Sequence, residues 1–330
     1  MKRFSPALRA GAFAFLALVW SAAPGRTDAY PSRPVTLIVP SSAGGPADAT
    51  ARLIVDRMSA ALGQQIVIEN VPGAGGTIGM ARAARAAPDG YTLLIHQNGF
   101  AITPALYEKL SFDTEKDFVT VGLVNLSHTY LLGRKSLPPK TFAELAAWMN
   151  GPGKPGKWGH PGAGTNGHLQ SILVMRVMGV NPTFIPYRGI APAVNDLLGE
   201  HIDVAGVGAA VATRLVQAGK LKAFVSTASK RDPALPDVPT YGEVGHKELE
   251  RPFWHALFAP AGTPRPVLER INAALRETLA DPVVKKAFAD NSVAAYPENQ
   301  WSIAAAGDYI RNEIAFWGKV VRDNNVKLSH

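Results

Sequence analysis

The chain has 330 residues, with 34 Lys and Arg against 26 Asp and Glu, and it contains no cysteine. That composition excludes a disulfide scaffold, thiol chemistry and lipoprotein attachment, and the formal charge of +8 is dispersed, with no basic run long enough for a nucleic-acid arm. At 47% hydrophobic residues, the core alone must stabilise the chain, and it is long enough for two domains of ordinary size.

In chain order, the N-terminus reads first as a secretory leader. Lys2, Arg3 and Arg9 precede an apolar run over 10–23, shorter than the ~20 residues of a membrane-spanning helix. Thr27-Asp28-Ala29 offers small residues at the positions a signal peptidase reads, so cleavage is expected after Ala29, with Ala23 the weaker choice because Pro24 follows it. Four basic residues and one acidic residue leave with segment 1–29, so the mature charge falls to +5. The expected compartment is the periplasm of a Gram-negative bacterium.

From Tyr30, short β-rich runs alternate with helical stretches. Strands are predicted at 35–39, 66–68, 92–95, 183–185, 204–207 and 223–226, with a possible one near 157–159. Helices are predicted at 47–62, 76–86, 142–149, 166–178, 193–198 and 210–218. Strands separated by helices imply βαβ units, hence an α/β chain with largely parallel sheets flanked by helices. Ligands of such sheets bind beyond the carboxyl ends of the strands. After an apolar run at 253–259 the chain becomes helical, at 266–279, 282–290 and from about Trp301. There Ile303, Ala306, Ile310, Ile314, Trp317 and Val321 recur every three or four residues, the stripe of a helix packed on a core.

Three glycine loops lie between these elements. The first, SSAGGPAD, contains Ser41, Ser42, Ala43, Gly44 and Gly45. The second, NVPGAGGTIG, contains Gly73, Ala74, Gly75, Gly76 and Thr77. Each follows a strand and enters a helix, where backbone N–H groups and the positive end of the helix dipole favour an anion. Neither holds the lysine of a nucleotide P-loop, so a small carboxylate suits them better. Pro46 fits the first helical position, and Asp48 in the first turn reads as cap electrostatics before ligand contact. The third loop spells GxGxxG through Gly162, Gly164 and Gly167. A dinucleotide site needs an acidic residue ~20 positions later, and Phe184, Ile185, Pro186 and Tyr187 stand there instead. That loop is read as an anion- or amide-binding turn with Thr165, Asn166 and His168 as donors. No GxSxG nucleophile elbow and no HExxH spacing occurs, so no catalytic residue, metal or cofactor is expected.

The chain resembles the substrate-binding receptors of tripartite tricarboxylate transporters, the TctC-like or Bug proteins. The resemblance is carried by YPSRPVTLIVP at 30–40, GGPAD at 44–48, ENVPGAGGTIG at 69–79, APDGYTLL at 87–94 and PALYEKLSFD at 104–113. It continues through PYRGIAPAVNDLLGEHID at 186–203, AGKLKAF at 218–224, ALPDVPTYGEVG at 234–245 and APAGTPRPVLERINAAL at 259–275. No single segment is diagnostic; their number, order and spacing are.

The resemblance implies a two-domain Venus flytrap of the type II periplasmic binding-protein kind. Domain I would comprise 30–127 and 256–330, and domain II 128–255. It implies a carboxylate held by the first two loops, with Gln97 and Asn98 nearby. Gly164, Thr165, Asn166, His168, Tyr187, Arg188 and Val207 would face them from domain II. Expected partners are a small organic carboxylate and a permease of one large and one small membrane subunit, with the receptor a monomer and no nucleic acid bound. Two departures bear on specificity: Ser41 stands where a bulky residue is common, and Val207 and Gly208 stand where Asp and Asn are common. Without that acid, an amine-bearing ligand loses its partner. A sensory protein serving a membrane kinase is the competing reading, and a hydrolase the more distant one.

Overall fold

The computed structural model describes residues 30–151 and 156–326. The expected leader and most of the loop at 151–156 lie outside the described residues.

The chain builds a first sheet, crosses to a second, and returns. The first passage comprises β1 (Val35–Val39), α1 (Pro46–Leu62), β2 (Ile66–Asn70), α2 (Thr77–Ala84), β3 (Thr92–Gln97), α3 (Gly99–Leu106) and β4 (Phe118–Ser127). The second comprises β5 (Thr129–Arg134), α4 (Phe142–Met149), β6 (Lys157–His160), α5 (Asn166–Met178), β7 (Thr183–Pro186), α6 (Ile190–Leu198), β8 (Val204–Gly208), α7 (Ala209–Gln217) and β9 (Leu221–Ser226). The return adds β10 (Phe253–Pro260), α8 (Arg265–Ala280), α9 (Pro282–Asp290), β11 (Ala294–Ala295) and α10 (Ile303–Asp323). The sheet orders are β11-β4-β10-β3-β1-β2 and β7-β6-β8-β5-β9. Helices flank both, giving the two-domain α/β fold.

The helices begin and end where their sequences dictate. α1 opens on Pro46, whose missing N–H is not needed there, and closes on Gly63 at φ 80°, which returns its N–H to the carbonyls of Ser59 and Ala60. Its face of Ala47, Ala51, Ile54, Met58 and Leu62 is buried, and the helix packs on α8. α10 buries Ala306, Ile310, Trp317 and Val321 of the predicted stripe and packs on α3 and β4. Full burial of a large apolar side chain contributes about 2–3 kcal/mol, so Trp317→Ala would loosen this seam most.

The sheets are mixed rather than largely parallel. β1 pairs in parallel with β2 and β3, and β6 with β7 and β8. β10, β11 and β5 run antiparallel to their neighbours. β10 and β5 are the strands by which the chain enters a sheet from the other one. β4 ends at Ser127, only His128 intervenes, and β5 begins the second sheet at Thr129. A strand arriving this way has no crossover helix to set it parallel. β4, β5 and β11 were not anticipated, and neither was α3, whose Gly99 and Pro104 argue against a helix locally.

Polar contacts fix the two crossovers. Glu313 of α10, 2% exposed, accepts from Arg251 Nη1 at 3.0 Å and from Trp254 Nε1 and Trp317 Nε1, each at 2.9 Å. From α5, Gln170 donates to the Arg251 carbonyl at 3.1 Å and accepts from Thr129 Oγ1 at 3.2 Å. One side chain of the second domain thus touches both crossovers.

Candidate functional site

The first two glycine loops and the end of β3 converge at the carboxyl end of the first sheet, because β1 lies between β2 and β3. The first loop is closed at its helix end, while the N–H groups of Ser42 and Ala43 have no acceptor among the described residues. The buried Asp48 carboxylate accepts from Gly44 N–H at 2.8 Å, Arg52 Nε at 2.9 Å and Asn70 Nδ2 at 3.0 Å. The Arg52 hydrogen bond, helped by Gly44 and Asn70, holds its pKa down at about 2. Asn70 also donates to the Ser41 carbonyl, and Gly45 N–H goes to the Ser42 carbonyl at 3.2 Å. The donors of Gly44 and Gly45 are therefore taken, while Ser42, Ala43 and Gly44 are exposed. Asp48 braces the loop, as its first-turn position suggested.

The second loop is open. Gly73, Ala74, Gly75 and Gly76 all have positive φ, at 126°, 46°, 66° and 98°. A tight turn of this kind can present successive N–H groups to one concave side, where an anion is received. Two carbonyls hold the loop: Gly73 O accepts from Gly76 N–H at 2.9 Å, and Ala74 O accepts from Thr77 N–H and from Tyr107 Oη and Thr77 Oγ1, the last two each at 2.9 Å. Among the described residues, the N–H groups of Ala74 and Gly75 have no acceptor. Ala74 is the residue that carries strain, since a side chain at positive φ costs about 1–2 kcal/mol.

At the end of β3 the neighbours divide. Asn98 is fully buried, with both side-chain groups engaged by the second crossover: it accepts from Trp254 N–H at 3.0 Å and donates to the Pro252 carbonyl at 3.3 Å. Gln97 Oε1 is buried without a partner. His96, absent from the expected set, is 3% exposed; its Nδ1 accepts the Gln97 N–H at 2.8 Å and its Nε2 has no partner. Burial lowers its pKa to about 3, so the ring is neutral. The available signal was a histidine ending an otherwise apolar strand.

In the second domain, Thr165 caps α5, accepting the His168 N–H at 3.3 Å and donating to the Gly162 carbonyl at 2.7 Å. His168 Nδ1 accepts Gly164 N–H at 3.1 Å, and its ring stacks on His160 with centroids 4.3 Å apart. Burial, reinforced by His160, lowers the His168 pKa to about 4. Asn166 Oδ1 is buried without a partner. The loop at 187–189 joins this one through Tyr187 N–H to the His160 carbonyl and Gly189 N–H to the Pro161 carbonyl. The Tyr187 hydroxyl is occupied by Asp196 at 2.6 Å, whereas Arg188 is exposed. Val207 turns into the core, 1% exposed, and does not line the crevice; Gly206 and Gly208 beside it face open space.

What these ends share is unsatisfied neutral polarity. Ser41 Oγ, His96 Nε2, Gln97 Oε1 and Asn166 Oδ1 are all buried without partners. Buried polar groups are nearly always paired, so such a cluster marks a place where a ligand or ordered water belongs. No group of three or more metal-ligating side chains occurs among the described residues, and no helix among them is long and apolar enough to cross a membrane.

Residues 50–326 match the family model for the tripartite tricarboxylate transporter family receptor, TctC. The UPF0065 protein of the TAR-I ttuE-ttuC' intergenic region of Agrobacterium vitis is 40% identical over 296 residues, 90% of this chain and 86% of that one. The structure of the periplasmic binding protein BugD superposes with a TM-score of 0.77 at 35% identity, covering 91% of this chain and 100% of BugD. MatC from Rhodopseudomonas palustris with bound malate gives 0.76 at 36% identity, covering 88% and 100%. The chain belongs to the tripartite tricarboxylate transporter receptor family, the TctC and Bug solute-binding proteins.

Proposed function

We propose that this receptor binds a small organic carboxylate in the crevice between its domains, in the periplasm, and delivers it without catalysis to a permease of one large and one small membrane subunit. The domains are assigned as 30–127 with 256–330, and 128–255. The observation that carries the reading is the pair of free N–H groups at Ala74 and Gly75 beside the unpartnered polar atoms of Ser41, His96 and Gln97. These are neutral groups, able to hold an anion by oriented dipoles. Asn166 and His168 at the start of α5, with Arg188, close on the ligand from the second domain.

The ligand class follows from charge. The one carboxylate within the three loops is Asp48, already occupied by Arg52, Asn70 and Gly44. An ammonium group in the crevice would be desolvated with no acidic partner there. Malate bound to a protein 36% identical supports a hydroxy- or dicarboxylic acid. The test is a thermal-shift screen over di- and tricarboxylates, aromatic acids and amino acids. Saturation at 100 times Kd stabilises by about 2.7 kcal/mol. An organic acid lacking an amine is expected to give the largest shift; an α-amino acid as the tightest ligand would contradict the reading.

A further inference from the structure

Among the buried polar atoms without partners, Ser41 Oγ, Gln97 Oε1 and Asn166 Oδ1 can reorient, whereas His96 Nε2 is held in place; His160 Nδ1 and His255 Nε2 are imidazole nitrogens in the same unpartnered state. The Ser41 hydroxyl rotates about its side chain, and the amides of Gln97 and Asn166 can exchange oxygen for nitrogen by a half-turn. For His96 a half-turn of the ring would lose the Gln97 N–H bond. Its Nδ1 accepts the Gln97 N–H at 2.8 Å, which fixes the neutral tautomer and places the remaining proton on Nε2. Two glycines hold the ring by lacking side chains: a Cβ on Gly99 would lie 3.1 Å from His96 Cε1, and one on Gly76 would lie 3.2 Å from Nε2. Gly99 does not occupy the left-handed region, so its missing side chain finds its reason in the imidazole it borders. Phe100 meets the ring in a T-shaped contact, 6.3 Å between centroids and 82° between planes.

We propose that His96 is a ligand-binding residue, the floor donor of the carboxylate cradle: its Nε2–H, locked beneath Gly76, receives a carboxylate oxygen when the loop of Gly73 to Gly76 adjusts around the bound acid. This rests on the carboxylate reading above and adds a residue to it. A buried donor with no acceptor is a standing cost in the empty protein, and an arriving anion removes that cost. A neutral donor also suits a site with no carboxylate of its own free to bind, because it attracts the anion without a counter-charge that must be desolvated.

The substitutions that test it are His96→Phe, which keeps a ring and deletes the donor, and His96→Gln, which keeps a donor. Malate, succinate, adipate and benzoate serve as probes in calorimetric titration and thermal melting. His96→Phe is expected to melt at or above the wild-type temperature when empty, and to bind the responding acid about ten- to hundredfold more weakly. His96→Gln recovers part of that loss. A variant that melts lower when empty yet binds within about twofold of wild type would make the ring a packing element and overturn the proposal. If His96→Phe fails to fold, the Nε2–H resonance of ¹⁵N-histidine-labelled wild type decides: it shifts with added acid, or the proposal fails. No response of the wild type to any of the four acids would instead defeat the carboxylate reading, and this proposal with it.

Discussion

The two glycine loops of the first domain look alike as sequence and differ in how they are braced. In the first, Asp48 takes the Gly44 N–H, Gly45 N–H bonds to Ser42, and Asn70 ties Ser41 and Asp48 together. In the second, four successive residues at positive φ leave the N–H groups of Ala74 and Gly75 without acceptors. One residue makes much of the difference: the first loop carries an acid that takes the Gly44 N–H, leaving those of Ser42 and Ala43, and the second carries none. A glycine-rich strand-to-helix turn is therefore a scaffold or a receptor according to whether the chain itself fills the nest.

The largest expected effect tests the scaffold. Asp48→Ala leaves the Gly44 N–H and the Asn70 amide without their acceptor and should cost about 2–4 kcal/mol. The empty protein should then melt several degrees lower, at about 2–4 °C per kcal/mol. A variant that melts like wild type but no longer binds would reverse the roles given to the loops.

Next comes a paired substitution in the two loops. Gly75→Ala forces a side chain to φ 66°, with its Cβ 2.6 Å from Tyr107 Oη, so the donors move and acid binding should weaken at least about tenfold. Gly45→Ala sits at φ −74° with its N–H already used, and should stay within about threefold. Equal losses measured by titration would erase the distinction.

The loops should also answer to acid in different windows. Asp48, with its pKa depressed from 3.8 to about 2, supports the first loop above pH 3.8 and is lost as pH falls through about 2. His96 beneath the second loop has its pKa lowered by burial from 6.5 to about 3, and His255 on β10 likewise. The unfolded chain takes up these protons below about pH 6.5 and the folded chain refuses them. Stability is then full above pH 6.5 and declines toward pH 3, by up to about 1.4 kcal/mol per pH unit for each histidine. Melting at pH 7.5 and pH 5.0 checks this; His96→Phe should flatten the decline by one histidine's share. A pH-independent melting temperature over that range would mean the rings are not buried as neutral groups.

The smallest effect belongs to the second domain. Asn166→Ala should weaken the acid by about 1 kcal/mol, through poorer closure more than poorer capture. Small-angle scattering with saturating acid should show compaction in wild type and less in the variant; equal compaction would remove Asn166 from the closing contacts.

Much of this was legible in the sequence, for reasons that vary by element. The boundaries of α1, α4, α5 and α9 follow from caps and period, since Pro46, Thr141, Thr165 and Asp281 mark their starts. β4 and β5 escaped because a chain crossing between sheets needs no helix between them, and the βαβ template looks for one. Within the site, composition pointed to the loops but could not show which N–H groups the chain consumes itself. Asn98 and Tyr187 were expected at the ligand, yet their polar groups bond to Trp254, Pro252 and Asp196, partners that only the fold brings near. His96 escaped for the opposite reason: its significance is a missing partner, which no sequence displays.

The most direct measurement is a crystal structure of the protein with the acid that gives the largest thermal shift. The account predicts carboxylate oxygens about 3 Å from the N–H groups of Ala74 and Gly75, with Gly44 N–H still bonded to Asp48. A carboxylate seated on Gly44 and Gly45 with Asp48 displaced, or one bound outside the crevice, would contradict it.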